Sequence, residues 1–197
     1  MVVVRDSDRR QVYFAEDLSA ENTILVLNRS LELLQSVVER VLDSRWWRTN
    51  SVGDPAAVGV WMNRSALRSC WQAETRRISL SPNGVDLSTL CHELAHAAVT
   101  DFALPGGPPQ PNHGPHFRTL HVAVRHLVLG KQCGDDLAEV YHQFGLASGL
   151  VTPAPAGPPP WSAPVLSPSI YEAAWLTEPG VLVAGREPRN ATGAIAL

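Results

Sequence analysis

The chain has 197 residues, 45% of them hydrophobic, and a formal charge of -3. This length fits one domain with an appendage, and the composition is ordinary for a soluble globular protein. No apolar run is long enough to span a bilayer, and the opening Met1-Val2-Val3-Val4-Arg5-Asp6 is too short for a signal-peptide core, so a cytoplasmic protein away from membranes is expected. Basic residues form no tract: Arg9-Arg10 and Arg76-Arg77 are isolated pairs, so a nucleic-acid surface is not supported. Cys70, Cys91 and Cys133 are odd in number and include no Cys-x-x-Cys, which argues against a disulfide framework or a zinc ribbon.

In chain order, Arg5 to Leu18 reads as a helix with Val12, Tyr13, Ala15 and Leu18 as a rough apolar stripe. Thr23 to Leu27 is a short extended or inward-packing run. Asn28 or Ser30 caps a second helix with Leu31, Leu34, Val37, Val38, Val41 and Leu42 at helical spacing, ending near Trp46-Trp47. Three short extended segments follow, Val58 to Met62, Ser69 to Ala73 and Arg77 to Leu80, read as a small, mainly antiparallel sheet. Ile78 and Leu80 alternating with Arg77 and Ser79 suit a half-buried strand.

Asp86 or Ser88 caps the next helix, which runs to about Thr100 and packs through Leu87, Leu90, Leu94, Ala97 and Ala98. A Pro/Gly loop from Leu104 to Asn112 cannot continue it. Gly114-Pro115 opens another helix, with Phe117, Leu120, Val124, Leu127 and Val128 facing inward and Gly130 at its end. Asp135 or Asp136 starts a last helix, Leu137 to Phe144, closed by Gly145. Beyond Leu150 the chain is rich in proline and poor in charge. Residues 1–150 are therefore expected to form the domain and 151–197 a flexible, disordered tail, with Ile170 to Leu176 as a short amphipathic stretch within it.

The chemistry concentrates in Cys91-His92-Glu93-Leu94-Ala95-His96. On a helix, His92 and His96 share a face one turn apart and can bind one metal ion, while Glu93 beside them can act as general base toward a water. Cys91 points about 100° away around the helix and suits a small buried residue. All seven histidines, at 92, 96, 113, 116, 121, 126 and 142, lie in this one part of the chain. Catalytic zinc usually has three protein ligands and an open position, so a third ligand is needed. His113 is favoured: Gly114 permits a sharp turn and Pro115 starts the helix, so the ring can be aimed back at the motif. His116, three residues on, competes for the same role. His121, His126 and His142 read as packing or surface residues. The implied chemistry is Zn2+-assisted hydrolysis with Glu93 as catalytic base, and Tyr141, His116 and Tyr171 are candidates for stabilising the oxyanion.

His92-Glu93-Leu94-Ala95-His96 followed by His113-Gly114-Pro115-His116-Phe117 resembles the SprT-like zincins, and within them the small actinobacterial metallohydrolases. The segment Arg5-Asp6-Ser7-Asp8-Arg9-Arg10-Gln11-Val12-Tyr13-Phe14-Ala15-Glu16 is similar to the opening of that group. Similarity extends in patches through Leu129-Gly130 to Tyr141 and Gly145-Leu146. The resemblance implies an α+β zincin-like domain of helices on a small sheet, with His92, His96 and His113 as zinc ligands and Glu93 as base; it says little about substrate, for which a protein or peptide is the expectation. The position of His116 is commonly acidic in that group, and the cysteine zinc-ribbon found in several members is missing here. The leading expectation is a zinc-dependent metallohydrolase, most simply a metallopeptidase. The alternatives are a metal-stabilised, non-catalytic interaction module with a partner docked on the Pro-rich tail, and a DNA-associated protease of the SprT type.

Overall fold

The computed structural model describes residues 6–21, 30–52, 54–102 and 112–146. The Thr23 to Leu27 run, the loop from Leu104 to Pro111 and the tail lie outside the described residues, as does the expected domain boundary at 150. Among the described residues the chain is mixed α+β, in the order α1 (Arg9–Glu21), α2 (Leu31–Asp43), α3 (Arg45–Asn50), β1 (Gly59–Met62), β2 (Cys70–Gln72), β3 (Arg77–Leu80), α4 (Leu87–Phe102), α5 (Pro115–Leu129) and α6 (Lys131–Gln143). No helix among them is long and apolar enough to cross a membrane.

Helix α1 starts later than its sequence pattern suggests. The Asp8 carbonyl accepts the first helical bond, from the N–H of Val12 at 2.9 Å, so Asp8 is the residue before the helix. Its carboxylate is drawn away to Arg118 instead of closing another turn. Ser30 caps α2 by accepting from the N–H of Leu33. Asn28 lies outside the described residues. The α2 pattern does not run on to the tryptophans: Ser44 breaks it. The Ser44 hydroxyl donates to the Val41 carbonyl at 2.6 Å and accepts from the N–H of Trp47 at 3.1 Å, ending α2 and capping α3 with one side chain. Trp46 and Trp47 then turn inward and meet Phe102 edge-on, with ring centroids 5.1 and 5.2 Å away.

The sheet is mixed rather than mainly antiparallel. Its order is β1-β3-β2, with β1 parallel to β3 and β2 antiparallel to it. Side-chain alternation reports which face of a strand is buried but not which way the strand runs, so the parallel pair left no mark in the sequence. Ser79 is buried along with Ile78 and Leu80, because β3 is the central strand and is covered on both faces. The far edge of β1 is closed by Gln35 of α2, which accepts from the N–H of Val60 and donates to the carbonyl of Val58.

Asp86, not Ser88, caps α4: it accepts from the backbone N–H of Thr89 at 2.8 Å and from the Thr89 hydroxyl at 2.8 Å. Helix α6 begins at Lys131, earlier than expected. Gly130 turns the chain with φ +94°, and Gly134 lets α6 cross α5 so closely that a Cβ there would meet the His126 ring at 1.8 Å. Gly145, at φ +65°, closes α6.

Two apolar clusters result. The larger joins α2, α3, the sheet, α4 and α5 through residues such as Leu34, Val38, Trp47, Ile78, Leu90, Leu94, Leu120 and Val124. Full burial of each large side chain of this kind contributes roughly 1.5–3 kcal/mol. The smaller cluster joins α1, α5 and α6 through Val12, Ala15, Phe117, Leu137, Tyr141 and Leu146, with Ala95 of α4 beneath them. The histidines stand where the second cluster meets α4.

Candidate metal centre

Helix α4 presents His92 and His96 one turn apart, as their spacing requires. Their Nε2 atoms are 3.2 Å apart. The backbone turn at Gly114 and the start of α5 at Pro115 bring His113 across from them, its Nε2 3.2 Å from that of His92. The three ligand atoms all lie within 4.8 Å of one another. Two corners of a tetrahedron with zinc–nitrogen bonds of about 2.0 Å are about 3.3 Å apart, so the two separations of 3.2 Å about His92 suit such an ion. His116 is half-buried and stands outside the cluster; burial pushes its pKa down.

The N-terminal segment holds two of these rings from behind. His92 Nδ1 donates to Glu16 Oε1 at 2.6 Å. His113 Nδ1 donates to Asp6 Oδ2 at 2.7 Å, while the backbone N–H of His113 donates to Asp6 Oδ1 at 3.3 Å. A proton fixed on Nδ1 leaves the Nε2 lone pair free, and in both residues that lone pair faces the centre. Arg118 adds a further tie: its Nη1 donates to Asp8 Oδ2 at 2.7 Å and to the carbonyl of His113 at 2.8 Å.

Aromatic rings wall the cluster. Phe117 lies 5.0, 4.4 and 4.9 Å, centroid to centroid, from His92, His96 and His113. Tyr13 stacks on His92 at 5.1 Å with only 12° between the planes. This burial has electrostatic consequences. Desolvation, followed by the neighbouring His92 and His113, pushes the pKa of His96 down to about 2. Burial also lowers His113, against the opposing pull of Asp6. For His92 burial again disfavours the charged ring, but the Glu16 carboxylate overrides it and the pKa is raised. His96 and His113 are therefore neutral at pH 7, the form that binds a metal. Burial raises Glu93, while His92 and the backbone N–H of Trp71 pull it back.

His121, His126, His142 and Cys91 are packing or surface residues, as expected from the sequence. His121 is fully buried beside Glu16 and forms with it and His92 a second group able to hold a metal. Tyr141 is buried against His121 Nδ1 at 3.0 Å. Tyr171 lies outside the described residues. His126 pairs with Asp135 at 3.0 Å and His142 is exposed. Cys91 is buried and its thiol pKa is pushed up by desolvation. Asp6, Tyr13, Glu16 and Arg118 are the residues that motif reasoning missed. Glu16 carried a readable signal: it lies four residues after Val12 and three before Ser19, on the buried face of α1, where a carboxylate needs a partner. No protein-family profile, curated protein or solved structure matches this chain.

Proposed function

We propose that the chain is a zinc-dependent metallohydrolase of the SprT-like zincin kind, most simply a metallopeptidase, with His92, His96 and His113 as ligands and Glu93 as general base. The observation that carries this reading is the convergence of three imidazole Nε2 atoms, two of them set by carboxylates on Nδ1, beside a buried glutamate. The donor set is that of a catalytic rather than a closed structural zinc site: three imidazole nitrogens and no thiolate. When bound, zinc would polarise a carbonyl and bring the pKa of a water at the site toward neutrality.

The residues of the chain supply the rest. Glu93 takes the proton of the attacking water and returns it to the leaving amine. Its raised pKa suits that exchange, since a carboxylate of ordinary acidity is a poor proton acceptor near neutral pH. Tyr13 and Phe117 exclude water from the ligand rings. A peptide substrate is favoured by the position of β2, an edge strand whose Trp71 N–H reaches Glu93. An extended chain added to that edge would pass the carboxylate.

Metal analysis of the purified full-length protein, with hydrolysis of unfolded casein by wild type, Glu93→Gln and His92→Ala, tests the reading. Wild type is expected to hold one zinc per chain and cleave. Glu93→Gln is expected to keep the zinc and lose cleavage by at least about 100-fold. His92→Ala is expected to lose both. A wild-type chain that takes up no metal, or a Glu93→Gln variant as active as wild type, sinks it.

A further inference from the structure

The carboxylate of Glu16 meets two imidazoles, only one of which belongs to the three converging nitrogens. Oε1 accepts from His92 Nδ1 at 2.6 Å and lies 3.5 Å from His121 Nδ1. His121 is fully buried, and its Nε2 has no hydrogen-bond partner among the described residues. That orphan nitrogen decides the tautomer. A buried N–H without an acceptor is costly, so the proton belongs on Nδ1, where the Tyr141 oxygen accepts it. His121 Nδ1–H then donates to the hydroxyl oxygen of Tyr141 at 3.0 Å, with the Glu16 carboxylate a charge contact at 3.5 Å. Arg125, also buried, is anchored by donating to the hydroxyls of Ser19 and Ser88, which places a fixed positive charge in the same pocket. The carboxylate is thus boxed by His92, His121 and Arg125's field, with Tyr141 closing the far side.

We infer that Glu16 is the positioning residue of the centre: held in place by His121 and Tyr141, it fixes the His92 ring and makes Nε2 of His92 a stronger donor. This rests on the metal reading above. The arrangement goes further than a single carboxylate behind a ligand, because it links three helices: Glu16 lies on α1, Tyr141 on α6, and His121 on α5 between them. Disturbing Tyr141 should therefore reach the metal without touching any ligand.

The test is zinc affinity by chelator competition, and the Co2+ absorption spectrum, on the full-length chain as wild type, Glu16→Gln, Glu16→Ala and Tyr141→Phe. Glu16→Gln keeps the volume and an acceptor for His92 but loses the charge, and should bind about 10-fold more weakly. Glu16→Ala frees the ring, and should bind about 100-fold more weakly with a shifted, weaker Co2+ band. Tyr141→Phe should lose a few-fold. Long-range proton–nitrogen correlation on the zinc-loaded wild type should place the protons of His92 and His121 on Nδ1, a readout that holds even where a variant fails to fold. A wild type that binds zinc, with Glu16→Ala binding equally and giving the same Co2+ spectrum, overturns the positioning role alone. So does a proton found on Nε2 of His92. A wild type that binds no metal overturns the positioning role and the metal reading together.

Discussion

On one side of α4, Leu34, Val38, Trp47, Ile78 and Leu80 pack with few polar groups among them. On the other, Val12, Ala15, Phe117 and Tyr141 share their space with His92, His113, Arg118, His121 and Arg125, all buried. The first region is held by removal of apolar surface from water. The second gives up part of that gain to buried polar groups, each of which must be paired or cost free energy. Nearly every pairing there also orients a histidine. On the proposed function, the sheet side carries the stability and the α1 side the chemistry, and mutation should be able to separate the two.

The widest separation should come from a matched pair. Trp47 and Phe117 are both fully buried aromatic side chains, so Trp47→Ala and Phe117→Ala should each cost about 3–5 kcal/mol of unfolding free energy in the metal-free protein. Trp47 touches Trp46, Phe102 and Asp101, none of them near the histidines, so the folded fraction should bind zinc as wild type does. Phe117 touches the rings of His92, His96 and His113, and on the proposed reading its loss should weaken zinc by about 10–100-fold. Denaturant unfolding and chelator competition on the same preparations check both halves. Equal zinc affinity in the two variants would erase the proposed division.

Removing the metal should act on the α1 side first. At free zinc 1,000 times the dissociation constant, binding stabilises the native state by about 4 kcal/mol. Chelation should therefore lower the melting temperature, with hydrogen exchange rising earliest in α1 and the segment before it, where Glu16 and Asp6 hold the rings of His92 and His113. Uniform loss of protection across α1 and the sheet would count against two separable regions.

The same division separates what can be read from the sequence from what cannot. The α4 helix, the pairing of His92 with His96, and the opening of α5 at Gly114-Pro115 are local: each follows from residues within a turn or two. The apolar faces of α2 and α5 are legible for the same reason. What stays hidden depends on distant partners. Glu16 is 76 residues from His92 and Asp6 is 107 from His113, so no window of sequence joins them. The parallel run of β1 beside β3 is hidden because both directions give the same alternation. Ser44 looks like an interior helix residue until Trp47 turns inward and supplies the N–H it caps. Helix α6 begins early because Gly134 fits against His126, a contact its own weakly apolar first turn does not announce.

Glu93 gives a smaller, opposite effect. Its pKa is raised by burial, so the native state disfavours the anion and stability falls as pH rises through the folded pKa. Glu93→Gln should remove that cost, raising the unfolding free energy of the metal-free protein at pH 8 by about 1 kcal/mol, or about 2–4 °C. The gain should shrink as pH is lowered toward the glutamate's own titration. A variant less stable than wild type at pH 8 would show that the Trp71 N–H and His92 together outweigh desolvation.

The smallest expected effect probes the outer rim of the α1 side. Ser7 and then Arg118 lower the pKa of Asp8, whose carboxylate is about one-third exposed. A depressed acid contributes stability that is fully present above its unfolded pKa of about 3.9 and is lost as pH falls through the lower folded value. Solvent screening limits that contribution to about 0.5 kcal/mol. Urea midpoints of metal-free wild type and Asp8→Asn should therefore differ slightly at pH 6 and converge toward pH 2, since only the wild type loses this interaction on acidification. Arg118 also holds the carbonyl of His113, so Asp8→Asn should loosen zinc binding by no more than a few-fold, far less than changes at Glu16. A zinc affinity lost as completely as in His92→Ala would mean that the Asp8–Arg118 pair, and not the carboxylates touching the rings, sets the geometry of the third ligand.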